Sequence, residues 1–185
     1  MSSPEASKIK IYTIGHSTRK LEEFIGLLKH NWVLLVVDIR SIPRSRYNPQ
    51  FNLDSLPLSL KNAGLEYQHL EGLGGLRHPL NDSVNKGWEN ESFRGFADYM
   101  QTPEFEKNIK TLIDTALKQQ TTIMCAEAVP WHCHRSLISD SLTVRSIQVE
   151  HIIDGDKRRS HTLTSFALIS GTKITYPPRQ TELKI

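Results

Sequence analysis

The segment "VLLVVDI", Val33 to Ile39, constrains the fold more than any other stretch of the chain. It is apolar at every position except Asp38. A strand with one wet face alternates apolar and polar residues. A continuous apolar run therefore predicts a strand covered on both faces, the habit of parallel sheets held between helices. Four further strand-like runs fit the same scheme: Ile9–Gly15, Leu65–Leu70, Thr121–Ala126 and Ile147–Ile153.

Helical spacing fills most of the gaps. Leu21, Phe24, Ile25 and Leu28 make one apolar stripe, with Ser17 or Thr18 as its expected cap. "DSLPLSLKNAG" reads as a short helix ended by Gly64. In "TPEFEKNIKTLIDTALKQ", Thr102 caps, Pro103 takes the first position, and Phe105, Ile109, Leu112, Ile113 and Ala116 form the buried face. "SLISDSLTV" is helical again, with Leu137, Ile138 and Leu142 inward. Alternating strands and helices predict an α/β fold: one three-layer domain, a mainly parallel sheet of about five strands, helices on both faces and right-handed crossovers. The domain is expected over residues 9–170, between a flexible start at 1–8 and a weakly ordered tail at 171–185. Glu71 to Asn90, rich in Gly, Asn and Pro, is expected as a long loop.

Composition excludes several classes. The chain has 185 residues, enough for one sizeable core and too few for two. Nothing approaches the roughly 20 apolar residues that span a bilayer. "MSSPEASKIK" lacks the apolar centre of a secretory signal, so a cytoplasmic location is expected. A net charge of +3 permits an anionic partner without demanding one.

Ligands of open α/β sheets bind outside the carboxyl ends of the strands, so the residues just beyond each strand are the ones to inspect. The first strand ends in Gly15, His16 and Ser17, where glycine allows close approach and a succeeding helix offers N–H groups to an anion. The second ends in Asp38, Arg40, Arg44 and Arg46; Asp38 and Arg40 share a side at period two, as an ion pair or as ligands. The third runs into Gly74, Gly75 and Arg77, a loop that matches neither the P-loop nor the dinucleotide fingerprint.

The fourth carries the densest chemistry, "TTIMCAEAVPWHCHRS", with Cys125, Glu127, His132, Cys133, His134 and Arg135 inside eleven residues. A thiol near a helix start beside His134 and Arg135 favours thiolate. Seven residues between the cysteines do not suit a closed structural zinc site, and for a phosphatase loop Cys125 to Arg135 is too long and Cys133 to Arg135 too short. A mixed catalytic loop remains, with Glu127 or His134 as acid or base and Arg135 as an anion clamp. The bland alternative for Cys125 alone is a small buried hydrophobe.

"YTIGHSTRKLEEF", "VVDIRSIPRSR", "LEYQHLEGLGGLR", "GFADYM", "TIMCAE" with "CHRSLIS", and "VEHII" together resemble the family catalogued as domain of unknown function 488, from Tyr12 to about Phe166. The resemblance implies a compact cytoplasmic α/β domain and carries no reaction with it. It also implies a shared set of positions: Gly15, His16, Ser17, Asp38, Arg40, Arg44, Gly74, Gly75, Arg77, Cys125, Glu127, Cys133, His134 and Arg135.

Three functions compete. The first is a hydrolase or transferase for an anionic, nucleotide-like or nucleic-acid substrate, with no organic cofactor. In it Glu127, His134, Asp38, Cys133 and Cys125 are the catalytic candidates, and Gly15, His16, Ser17, Arg40, Arg44, Gly74, Gly75, Arg77 and Arg135 the binding ones. The second is a metal or thiol-redox protein, with a divalent metal on Cys125, Cys133 and His134, and His16 and Glu127 nearby. The third is a nucleic-acid-binding module using Arg44 to Tyr47, Lys157 to Arg159, Trp88 and Trp131. No membrane partner is expected.

Overall fold

A computed structural model describes residues 9–178. Five parallel strands form its centre: β1 (Lys10–Gly15), β2 (Leu35–Asp38), β3 (Glu66–His69), β4 (Thr121–Cys125) and β5 (Gln148–Asp154). The order across the sheet is β3-β2-β4-β1-β5, closed at one edge by β6 (Lys157–Ser160), which runs antiparallel to β5. The helices are α1 (Leu21–His30), α2 (Leu56–Asn62), α3 (Glu91–Tyr99), α4 (Pro103–Ala116) and α5 (Arg135–Thr143). No helix among the described residues is long and apolar enough to cross a membrane.

Period-two geometry explains the unbroken apolar run of β2. Leu35 and Val37 pack with α3, α4 and α5 through Phe96, Ile109 and Leu137, while Val36 packs with α1 and α2 through Phe24 and Leu60. β4 repeats the pattern, with Ile123 and Cys125 on the first face and Met124 on the second. Helices cover both faces, so no position in these strands meets water.

Local capping agrees with the sequence in one place and departs from it in another. Thr102 Oγ1 accepts the Phe105 N–H at 3.2 Å and Pro103 opens α4, as expected. Ser17 and Thr18 do not cap α1, whose first flanking residue is Lys20 with no side-chain bond. The reason is that strand pairing outlasts Gly15: the His16 and Ser17 N–H groups donate to the carbonyls of Cys125 and Ala126. Ser17 then turns the chain with a φ of 49°, and the helix starts later.

The long loop expected over Glu71 to Asn90 is a loop from Gly74 onward, after a single turn at Glu71–Leu73. The loop expected to run to Asn90 is tied down by Asp98 of α3, which accepts from the Leu80 N–H at 2.9 Å and from Ser83 and Asn85 at 2.7 Å each. Of the tail expected at 171–185, residues 171–178 are described. There β7 (Leu168–Ser170) and β8 (Lys173–Thr175) form a hairpin turned at Gly171, and Tyr176 behind them is fully buried. The Tyr176 hydroxyl donates to Asp140 at 2.9 Å and its N–H to Asn85 Oδ1 at 2.8 Å. The flexible start expected at 1–8 and the last part of the tail lie outside the described residues.

Topology fixes where a ligand crevice opens. β1 leads through α1 to β2, past β4 on one side; β4 leads through α5 to β5, past β1 on the other. The two adjacent central strands thus send their connections in opposite directions and to opposite faces, which parts the loops above their carboxyl ends.

Candidate active site

At that parting Gly15 and Cys125 are paired neighbours. A Cβ on Gly15 would lie 1.7 Å from the Glu127 carbonyl oxygen, so only glycine lets the β4–α5 loop close over the end of β1. Beside this contact opens a cavity of about 280 Å³, with Cys125, Cys133 and His134 on its inner side and Glu127, His132 and Arg40 around them. Ser41, Ser92 and Phe93 complete the wall, and no sequence signal singled them out.

The cysteines are free thiols, both buried. Cys125, Cys133 and His134 bring one donor atom each within 4.8 Å of the others. Cys133 Sγ lies 3.6 Å from His134 Nδ1 and accepts the Arg135 backbone N–H, in the first turn of α5, at 3.5 Å. The Cys125 thiol donates to the Cys133 sulfur. That bond holds the Cys133 thiol well below its ordinary range, aided by His134 and Arg135 against the cost of burial. The same bond, together with burial, pushes Cys125 up. Of the two thiols, Cys133 is therefore the one that loses its proton first. His134 is wedged against Gly75, where any Cβ would come within 2.5 Å of Nδ1, and its buried Nε2 has no partner.

The arginines are spent differently from the sequence expectation. Arg40 forks onto Asp38, Nε donating at 2.8 Å and Nη2 at 2.5 Å, and Nη2 also donates to the Phe51 carbonyl at 2.7 Å. Its Nη1 donates to His16 Nε2 at 3.2 Å. Four of the five guanidinium N–H groups are used, leaving one for the cavity. Asp38 is fully buried and also accepts from the Tyr67 hydroxyl at 2.8 Å, so it serves as a partner for Arg40 and not as an open acid or base. Burial and the Asp38 charge raise the Tyr67 phenol further. His16 Nδ1–H donates to the Ser17 carbonyl at 2.8 Å, which fixes Nε2 as acceptor. Burial lowers its pKa to about 4, so the ring is neutral beside Arg40.

Arg135 is not an anion clamp in the cavity. It is 1% exposed, and its Nη2 donates to the Glu127 carbonyl, holding the loop from behind. Arg77 is also turned away: its guanidinium lies 3.7 Å over the Tyr99 ring and donates to the Gly74 and Gly72 carbonyls. Gly74 packs on Ser41, where a Cβ would approach the hydroxyl to 2.3 Å. His16, Ser17 and Arg44 line an adjoining depression of about 400 Å³ that shares Arg40, Ile42, Ala126 and Glu127 with the thiol cavity. The crevice therefore has a thiol end and a basic, hydroxyl-bearing end, with the exposed Glu127 between them.

Behind the loop runs a chain of hydrogen bonds that no sequence pattern announces. Arg135 Nη1 donates to Thr13 Oγ1 at 3.4 Å, Thr13 bonds His151 Nδ1 at 2.7 Å, His151 Nε2 bonds His161 Nδ1 at 3.0 Å, and His161 Nε2 bonds Asp140 at 2.8 Å. Arginine only donates and a carboxylate only accepts, so the chain is anchored by a donor at one end and an acceptor at the other. Burial lowers His151 to about 3, consistent with a neutral ring in the middle.

The family model described as Domain of unknown function DUF488 matches residues 20–142, a span that holds Arg40, Gly75, Cys125, Glu127, Cys133 and His134. No curated protein and no solved structure matches the chain.

Proposed function

The chain belongs to the family described as domain of unknown function DUF488, a description that names no reaction, and we propose that it is a hydrolase or transferase using Cys133 as nucleophile on an anionic small molecule. The observation that carries this is the trio of Cys125, Cys133 and His134 lining the switch-point cavity, with Cys133 the more readily ionised of the two thiols. A thiolate supported by a neighbouring imidazole and a helix start is an activated nucleophile. Its lone pair forms a bond to the electrophilic centre, and the leaving group departs with the old bonding pair and takes a proton from His134. Glu127 then accepts a proton from the water or acceptor that displaces Cys133, and exchange with solvent returns both groups to their starting states. The anionic part of the substrate lies toward Arg44, Ser17 and the remaining Arg40 N–H. Thiols that must stay reduced fit a cytoplasmic setting.

The test is intact-mass analysis after incubation with activated carboxylic and phosphoric esters. A covalent adduct and turnover should both vanish in Cys133→Ser, while Arg44→Ala raises KM with the adduct retained. Turnover that survives Cys133→Ser would sink the reading.

One observation favours a second reading. Two sulfurs and a histidine nitrogen within 4.8 Å of one another would supply three ligands to a zinc ion. Stoichiometric metal in tag-free protein, lost in Cys133→Ser, would put a metal where the nucleophile is proposed.

A further inference from the structure

On the other side of the β4–α5 loop lies a smaller cavity of about 150 Å³, floored by His151 and His161. The nitrogens of both rings are engaged in the chain that runs from Thr13 to Asp140, so they offer no spare donors. The walls are the opposite. Arg159 makes no ion pair among the described residues and rests 5.1 Å over the half-exposed Trp131 ring. The side chains of Ser160, Thr162 and Thr164 carry no hydrogen bond there, and the buried Trp88 Nε1–H has no partner. No carboxylate lines the space. These walls hold a guanidinium and three free hydroxyls, with no carboxylate to satisfy them.

We infer that this cavity is an oxyanion site, taking a phosphate group whose oxygens pair Arg159 and the hydroxyls, with Trp131 as a flat wall for whatever carries the phosphate and the Trp88 ring beside it. Arginine matches phosphate with paired donors, and the free hydroxyls add neutral ones. The space admits a phosphate and a small part of its carrier. The neighbouring residues of β6, Lys157 and Arg158, are exposed and extend the positive field to the mouth. The site owes nothing to Cys133, so it stands apart from the thiol chemistry proposed above.

The chain's three tryptophans make the test direct. Indole ¹H–¹⁵N resonances are followed while the full-length protein is titrated with inorganic phosphate at fixed ionic strength. Trp88 and Trp131 should shift saturably, and Trp32, 83% exposed in the turn before β2, should not. Arg159→Ala, a change at an exposed position, should weaken binding at least tenfold, and Cys133→Ser should leave it intact. Two further arms divide the source of the phosphate. A nucleoside monophosphate binding tighter than phosphate alone supports a small-molecule carrier; a single-stranded oligonucleotide binding tighter still, with affinity falling steeply as salt rises, supports a nucleic-acid backbone. Shifts that chloride reproduces, shifts that Arg159→Ala leaves unchanged, or no shift of Trp88 would each overturn the site.

Discussion

Replacing Cys125 tests how the Cys133 charge is held. With two cysteines in the chain, Cys133 is the sole thiol in any Cys125 variant, so its titration can be followed without ambiguity. Cys125→Ala deletes the thiol that donates to the Cys133 sulfur, the largest of the influences holding Cys133 down. A hydrogen bond to a charged acceptor is worth about 1.5–3 kcal/mol. At about 1.4 kcal/mol per tenfold, the thiolate population below its midpoint should fall roughly 10- to 100-fold. The Arg135 N–H and His134 remain, so some of the preference survives. Cys125→Ser keeps a donor in place and should stay near the parent. The assay is far-ultraviolet thiolate absorbance against pH, which does not depend on reagent access to a buried sulfur. Stability should move with it. A thiol that loses its proton more readily when folded contributes stability fully present above its unfolded pKa, about 8.5, and lost as pH falls through the folded value. Cys125→Ala should shrink that contribution. Superimposable alanine and serine profiles would refute the shared-proton account.

Three other outcomes rest on the same geometry. His16 has a folded pKa of about 4 against 6.5 unfolded, so its contribution is present above about pH 6.5 and lost as pH falls to about 4. The stake is about 3 kcal/mol, and His16→Gln should flatten the urea midpoint across that window, leaving the slope from His151. Gly75→Ala forces a methyl into the His134 ring and should cost about 1–3 kcal/mol by overpacking while cutting turnover more than binding; unchanged kinetics would mean His134 need not stay where it is. Tyr176→Phe strips the hydroxyl from the buried Asp140 carboxylate and should cost about 1.5–3 kcal/mol in chemical denaturation. A negligible loss would argue that the segment around Tyr176 is not part of the folded unit.

The central strands were legible because their periodicity is enforced by two covered faces, and the thiol cluster because six functional side chains crowd one strand end. Asp38 and Arg40 were legible as a pair from spacing alone. The elements that escaped notice had no local signal. β6 is exposed at every position, so it lacks the alternation that betrays a strand. α3 is short and interrupted by Gly95, which packs against the Arg77 backbone. Arg135 reads as an anion ligand in sequence because its burial depends on Thr13, 122 positions earlier. Ser17 reads as a cap because nothing local reveals that its N–H belongs to the Ala126 carbonyl.

The strand order bears on how the molecule comes together on the ribosome. β1 and β2 never touch, and β4 alone bridges them. Until residue 125 has emerged, the first third of the chain is two unjoined pieces that share no ladder, and closing them waits on contacts across more than 100 positions. The strand that completes the scaffold is the one that delivers Cys125, so the thiol centre is assembled in the same step that joins the two halves of the sheet.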